Sequence, residues 1–253
     1  MNLEGKAAIV TGAGKGIGRA IAAALSSRGA RVALVDSDDA AGKQAADETH
    51  GTFFAADVSR SGDVARAVEQ ATTAFRRLDI LVNSAGIQRY GSVVDTDESV
   101  WDEVLGVNLK SMYLTAKHAL PHLIASGAGA IVNVASVQAF AAQRGVAAYS
   151  ASKGGVVALT RSLAIDHAPV IRANCICPGS VDTPMLRWAA EKFGEGDPEG
   201  AVRRWGAMHP LGRVAEPHEV AQAAVFLASS DASFITGAAL LVDGGLLSMI
   251  GGT

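Results

Sequence analysis

The sequence predicts an α/β domain built on a parallel β-sheet. Short runs rich in Val, Ile, Leu and Ala recur along the chain. Longer stretches with helical periodicity separate them. Several runs are nearly continuous rather than alternating, as strands covered on both faces are. A repeating strand–helix order joins such strands into one parallel sheet through right-handed crossovers.

The first run is AAIVTG at 7–12, with a helical pattern at 17–29 after it. RVALVD at 31–36 is followed by a helical pattern at 38–49. The runs at 51–57 and 79–86 flank a helical stretch at 61–76. A long helical stretch at 98–126 leads to the run at 130–136, and one at 149–168 leads to the run at 170–179. The last helical pattern, 217–229, precedes the run at 237–245. Between them, about 182–216 has poor periodicity and carries DTP, GEGDPEG, MHP and AEP. Turns are expected to dominate it, and a segment of that length in a compact domain is expected to act as a substrate lid. The chain reads as one domain over 1–253.

Composition narrows the function classes. The 253 residues are 49% hydrophobic and 19% charged, which excludes an intrinsically disordered chain. A net charge of −3 offers no basic footprint for nucleic acid. No uninterrupted apolar run is long enough for a membrane span, and MNLEGK has no apolar signal core. Cys175 and Cys177 are too few for a disulfide framework, so a reducing, cytoplasmic setting is expected.

The first run opens into TGAGKGIGRAIA. Glycines between a strand and a helix let backbone amides approach a pyrophosphate, and the helix N-terminus adds positive charge. The pattern G-x-G-x-x-G is not completed, because Ile17 and Arg19 stand where a third glycine belongs. The pattern present is T-G-x-x-x-G-x-G, at Thr11, Gly12, Gly16 and Gly18. A bare tight turn is the bland alternative. Lys15 is followed by Gly16, so a phosphate loop of the G-K-[ST] type is not formed. Asp36 ends the second run and is suited to accept hydrogen bonds from the adenosine ribose hydroxyls. It repels a 2′-phosphate, and Ser37, Asp38 and Asp39 follow it rather than arginine. NAD is therefore favoured over NADP. Helix capping is the alternative use of Asp36, although Ser37 and Asp38 serve that equally well.

Taken in order, TGAGKGIG, N-S-A-G at 83–86, Asn108, Ser136, Y-S-A-S-K at 149–153 and P-G at 178–179 make the chain resemble the short-chain dehydrogenase/reductase family. The resemblance spans essentially the whole chain. It implies a doubly wound Rossmann fold, with a seven-stranded parallel sheet and helices on both faces, and a homotetramer. It also implies a catalytic set of Asn108, Ser136, Tyr149 and Lys153.

The chemistry supports that set. Tyr149 and Lys153 are at i and i+4, on one helix face. A nearby ammonium favours the phenolate; bringing a phenol from about 10 toward neutrality takes roughly 4 kcal/mol. Lys153 and the positive ring of the oxidised cofactor are joint sources. Tyr149 is then the base in alcohol oxidation and the acid in ketone reduction. Ser136, at a strand's carboxyl end, is placed to hold the substrate oxygen. By resemblance, Lys153 also contacts the nicotinamide ribose and Asn108 links it through water to solvent, while a buried polar residue satisfying backbone is the plainer reading of Asn108.

By motif position, cofactor contacts fall to Gly12, Lys15, Gly16, Ile17, Gly18, Asp36, Asp57, Val58, Asn83, Ala85, Gly86, Tyr149, Lys153, Pro178, Gly179, Val181 and Thr183. Ser84 stands where many members carry a second Asn. The substrate is expected against Ser136, Gln138, Gln143, Tyr149 and Trp188, with Gln88, Arg89, Phe140, Met185 and Trp205 nearby. Gln and Arg suit several hydroxyls, so a sugar, polyol or cyclic diol is the expected substrate. A 3-oxoacyl thioester reductase shares the motifs, but Asp36 and the net charge count against it. A non-catalytic NAD-binding regulator has no need of the whole catalytic set.

Other signals are discounted. His118 and His122 lack the Glu of a zincin motif and have Pro121 between them, so no metal is expected. Cys175 and Cys177 share one strand face and read as buried apolar side chains. No G-x-S-x-G surrounds Ser136, and Arg203–Arg204 reads as solvated surface. The apolar C-terminal stretch LLVDGGLLSMIGG is expected either between subunits or over the chain's own lid.

Overall fold

The computed structural model describes residues 1–249. Its seven strands are β1 (Ala7–Thr11), β2 (Arg31–Asp36), β3 (Thr52–Ala55), β4 (Ile80–Asn83), β5 (Gly129–Val134), β6 (Ile171–Pro178) and β7 (Ala239–Val242). They form one sheet in the order β3-β2-β1-β4-β5-β6-β7, and every pair is parallel. This is the doubly wound, seven-stranded sheet the sequence implied.

Strand parity explains the continuous apolar runs. Ala8, Val10, Val32, Leu34, Ile80, Val82 and Val132 face one layer, built on α1 (Gly16–Ser26) and α9 (Pro217–Ala228). Ala7, Ile9, Ala33, Val35, Leu81 and Ile131 face the other, built on α3 (Ser61–Phe75), α5 (Ser111–Ala125) and the C-terminal half of α6 (Ala147–His167). Each strand residue is therefore buried whichever way it points. The helix α2 (Asp39–Thr49) covers the outer edge through Ala45 and Ala46. Cys175 and Cys177 are fully buried beside Met112, Ala135, Val156 and Val157, as free thiols.

Two polar clusters fix the register. At the amino edge, Asp79 is buried and accepts from Arg77 Nε and Nη2 (2.7 and 2.6 Å), Lys6 Nζ (3.1 Å) and the Ala7 amide (2.9 Å). Beneath the carboxyl edge, Thr115 donates to Asn83 (2.6 Å), Asn83 to Asn133 (2.8 Å) and Asn133 to Thr160 (2.9 Å). This buried relay ties α5 through β4 and β5 to α6. In such surroundings every donor must find an acceptor, and each does.

The helical stretch expected at 98–126 is not one helix. It divides into α4 (Glu98–Leu105), a π turn (Gly106–Lys110) and α5. The π turn adds a residue to the local turn and carries Asn108 into the interior, where its side chain makes three hydrogen bonds. The turn-rich reading of 182–216 is likewise corrected: α7 (Pro184–Phe193) and α8 (Pro198–Ala207) lie there. The prolines of DTP, GEGDPEG and AEP open helices, whereas MHP lies in the turn after α8. Thr183 accepts from the Leu186 amide (3.3 Å) ahead of Pro184, and Asp197 accepts from the Gly200 amide (2.8 Å) ahead of Pro198. Glu216, with Glu219, makes a capping box ahead of Pro217. A proline suits the first helical turn, where its missing N–H has no intrahelical acceptor.

Candidate active site

The carboxyl ends of all strands share one edge, and the strand order reverses between β1 and β4. Ligands bind at such a switch point. A cavity of about 1370 Å³ opens there, wide enough for a dinucleotide with a small substrate. One end is lined by Asp36, Ser37, Asp57 and Val58, the middle by Gly12, Lys15, Gly16, Ile17, Gly18, Ala85 and Gly86, and the far end by Ser136, Tyr149, Lys153 and the segment after β6.

The glycine turn is shaped by two backbone demands. Gly12 has φ +63°, and a Cβ there meets Ala85 Cα at 2.6 Å. A Cβ on Gly18 lies 2.1 Å from the Gly12 carbonyl oxygen. Only glycine at both lets α1 begin this close to β1. The N-terminus of α1 has no side-chain cap and no acidic residue in its first turn. Its free amides face the cavity through Gly16, Ile17 and Gly18, as an anion site requires. Thr11 holds the neighbouring strand end by accepting from the Ser84 and Ala85 amides (3.1 and 3.3 Å).

Asp36 is positioned by the turn it serves. One carboxylate oxygen accepts from the Gly14 amide (2.8 Å) and the other from the Asp38 amide (2.9 Å). Lys15 is paired with Asp38 at 2.7 Å, so this cation already has a carboxylate partner. Asp57 accepts from Ser59 and lies 3.2 Å from Arg60. This cradle fits a nicotinamide dinucleotide: free amides for the pyrophosphate beside a carboxylate for the ribose.

At the other end, Ser136, Tyr149 and Lys153 are all nearly buried and face one another. Burial pushes the Tyr149 phenol up to about 12, with the Ser136 hydroxyl opposing the rise. Burial also brings the Lys153 ammonium down to about 8. Its Nζ donates to the Val134 carbonyl (2.8 Å) and sits 5.5 Å from the Tyr149 ring centre. The Ser136 oxygen accepts from the Gln138 amide (3.1 Å), which leaves its own proton free to donate.

Asn108 lies behind this set rather than in the cavity lining. Its oxygen accepts from the Ile87 amide (2.8 Å), and its Nδ2 donates to the Ile87 carbonyl (2.9 Å) and to Ser152 (3.1 Å). The side chain thus clamps the loop after β4 onto the helix carrying Tyr149 and Lys153. Asn83 is not in the lining either, because its side chain is spent in the buried relay. Pro178, Gly179, Val181 and Thr183 do line the cavity, as do Gln138 and Gln143.

Trp188 does not. It lines an adjoining pocket of about 490 Å³ together with Arg89, Tyr90, Val100, Met185 and Lys192. Arg89 is held there by Glu103 (2.7 and 3.0 Å). Sequence reasoning missed Tyr90 and Met208, which border the main cavity, as do Leu246, Leu247 and Met249 of the C-terminal stretch. The C-terminal stretch through Met249 therefore lies over its own chain's site; Ile250 to Gly252 fall outside the described residues. His209 was missed as well: it is buried, accepts from the Ser180 amide at Nε2 (3.1 Å) and donates from Nδ1 to the Trp205 carbonyl (2.9 Å), bolting α8 to the loop after β6. Only its packing partners, distant in sequence, reveal that role. His118 faces Ser61 on the surface, and no cluster of three or more metal-ligand side chains occurs among the described residues.

A doubly wound sheet with a glycine turn at the switch point and a Ser–Tyr–Lys set beyond it defines a nicotinamide-dependent oxidoreductase acting on CH–OH groups. The chain belongs to the short-chain dehydrogenase/reductase family. A family model described as enoyl-(acyl carrier protein) reductase matches residues 12–247. The chain is 38% identical over 254 residues to 2-(S)-hydroxypropyl-CoM dehydrogenase 3 of Xanthobacter autotrophicus, covering 98% of each. It is 40% identical over 247 residues to cis-4-hydroxycyclohexanecarboxylate dehydrogenase of Sinomonas cyclohexanicum, covering 95% of this chain and 96% of the relative. Among solved structures, aldohexose dehydrogenase of Thermoplasma acidophilum superposes with a TM-score of 0.95 at 38% identity, covering 99% of this chain and 97% of that one.

Proposed function

We propose that the protein is an NAD-preferring dehydrogenase of a small secondary alcohol, of the sugar, polyol or cyclic alcohol class. The observation that carries the reading is the pairing of Asp36 at one end of the cavity with Ser136, Tyr149 and Lys153 at the other. Gly12, Lys15, Gly16, Ile17, Gly18, Asp36, Asp57, Val58, Ala85, Gly86, Pro178, Gly179, Val181 and Thr183 would hold the nicotinamide dinucleotide, which would supply the hydride chemistry at the carbinol carbon. Asn83 supports the strand end beneath the dinucleotide rather than reaching it through its side chain.

Tyr149 takes the hydroxyl proton in oxidation and returns it in reduction. Ser136 donates to the same oxygen and fixes it against the phenol. Lys153, free of any carboxylate partner in the site, supplies the positive charge that favours the phenolate. Asn108 keeps the three in register. Gln138 is already engaged by Ser150 and Gln143 (each 3.2 Å), so the amide of Gln143 is the one available to a substrate hydroxyl. Segment 182–216 acts as the substrate lid, with Leu186, Trp205 and Met208 lining the cavity.

The substrate class is supported by the relatives named for an aldohexose and for a hydroxycyclohexanecarboxylate. Preference for NAD is supported by Asp36, whose carboxylate lines the adenosine end of the cavity and opposes a 2′-phosphate. A homotetramer is supported by exposed apolar side chains on the outer helices and last strand, among them Tyr113, Ile165, Leu240 and Leu241. A cytoplasmic setting is supported by the two free thiols; no helix among the described residues is long and apolar enough to cross a membrane.

The test is initial rates of nicotinamide reduction with NAD and with NADP across aldoses, polyols, cyclic alcohols and 3-hydroxyacyl thioesters. Selective turnover of a polyol or cyclic alcohol with NAD is expected. Preference for the thioester with NADP identifies a 3-oxoacyl reductase instead.

A further inference from the structure

Beside the catalytic cavity lies the second pocket, and nothing in the catalytic set uses it. Gly86, Ile87, Gln88, Tyr90 and Met185 line both, so the two are continuous through the loop after β4. Tyr90 is one of the shared walls. Its phenol is close enough to Tyr149 to raise that group's pKa electrostatically. Its ring stacks on Trp188, with centres 5.9 Å apart at 27°, and meets Phe193 at 4.5 Å. One aromatic ring thus borders both the catalytic cavity and the side pocket.

The far wall is α7. Met185, Trp188 and Lys192 recur at helical spacing and face the side pocket, while Leu186 and Ala189 face the main cavity. The charge in the side pocket is unbalanced. Arg89 is neutralised by Glu103. Lys192 has no carboxylate partner among the described residues; its ammonium lies 4.8 Å above the Trp188 ring and 5.5 Å from the Phe193 ring. Cation–π contact with two rings holds the ammonium at the aromatic wall of the pocket. A compact apolar body fits against Tyr90 and Trp188, and an anionic end fits Lys192.

We propose that this pocket is the subsite for the non-reacting end of the substrate, and that it takes a small ring or short chain ending in a carboxylate or sulfonate. The proposal rests on the alcohol-dehydrogenase reading and narrows it: the substrate is a hydroxy acid anion, with the carbinol at Tyr149 and the anion at Lys192. Lys192 acts in specificity and Tyr90 in positioning, since the ring against which the substrate lies is also the one that borders the phenol.

Two readouts test this. The first is steady-state oxidation of a 4-hydroxycyclohexanecarboxylate and its uncharged carboxamide. Lys192→Gln is expected to raise KM for the carboxylate about tenfold with kcat unchanged, to leave the carboxamide unaffected, and to be restored by Lys192→Arg. The second needs no turnover: binding of cyclohexanecarboxylate and cyclohexanecarboxamide is read from Trp188 fluorescence, with Trp188→Phe as the control. Tighter binding of the carboxylate, lost in Lys192→Gln, supports the subsite. Equal binding of the two probes, or an unchanged preference in Lys192→Gln, overturns it. If no alcohol of either charge is oxidised, the dehydrogenase reading fails while the fluorescence result still decides the pocket.

Discussion

Lys153 carries a cost that the fold must bear for its chemistry, and the cost has a measurable pH signature. Burial brings its pKa from an ordinary 10.5 to about 8. At ~1.4 kcal/mol per pH unit, that difference corresponds to about 3 kcal/mol. Below pH 8 the ammonium is charged in both the folded and unfolded states, and the penalty is fully present. Between pH 8 and 10.5 the folded protein releases the proton first. The unfolded chain then binds more protons, so wild-type stability gains up to about 3 kcal/mol as pH rises. Lys153→Met removes the titration and also leaves the Val134 carbonyl without its donor, at a pH-independent cost of ~1–3 kcal/mol. At pH 7 the two effects nearly cancel, and the variant unfolds at about the wild-type urea concentration. At pH 10.5 it is the less stable by about 3 kcal/mol relative to that baseline. Urea titrations of both proteins across this range, without cofactor, measure the difference. A stability gap that stays flat from pH 7 to 10.5 refutes the buried, depressed ammonium.

Three other perturbations follow from the same geometry. Gly18→Ala drives a methyl into the Gly12 carbonyl, so cofactor affinity is expected to collapse and stability to fall by ~1–3 kcal/mol, read by cofactor fluorescence and thermal melting. Asp36→Ser removes the carboxylate that opposes a 2′-phosphate; the NAD-to-NADP ratio of kcat/KM is expected to drop at least tenfold, consistent with the ~1.5–3 kcal/mol of a charged hydrogen bond. For Asp79, burial works to raise the pKa, but Arg77, the Ala7 amide and Lys6 more than offset it and hold the carboxylate below its usual range. Its stabilisation is present above the unfolded carboxyl's pKa and is lost as pH falls through the folded one. Asp79→Asn should therefore destabilise at pH 7 and lose that disadvantage in acid, as measured by chemical denaturation.

Much of this was legible in the sequence, for physical reasons that differ by residue. The glycine turn was readable because Gly12 and Gly18 answer backbone demands that no other residue meets. Tyr149 and Lys153 were readable because the family resemblance implied them and their i, i+4 spacing puts both on one helix face. Asn83 was placed at the cofactor by motif position, yet strand parity carried the contrary signal: it shares the face of Leu81, which points to α5, and there it meets Thr115. The π turn was not readable, because an extra residue in a turn leaves the apolar pattern from 98 to 126 nearly continuous. Trp188 faces the adjoining pocket rather than the main cavity, a detail the sequence hid because the phase of α7 follows from the Thr183 cap and the packing against α8, through Ala190, Ala201 and Val202. Tyr90 and His209 act through residues distant in sequence, and only the folded chain assembles them.

The central claim is that Tyr149 moves the substrate proton while the glycine turn and Asp36 hold the cofactor independently of it. Tyr149→Phe tests this most directly, with alcohol oxidation and NAD affinity measured on the same preparation. The variant is expected to bind NAD as the wild type does and to lose ~10²–10⁴-fold in rate, the usual worth of a positioned acid–base group. A Tyr149→Phe protein that oxidises the alcohol at the wild-type rate contradicts the mechanism.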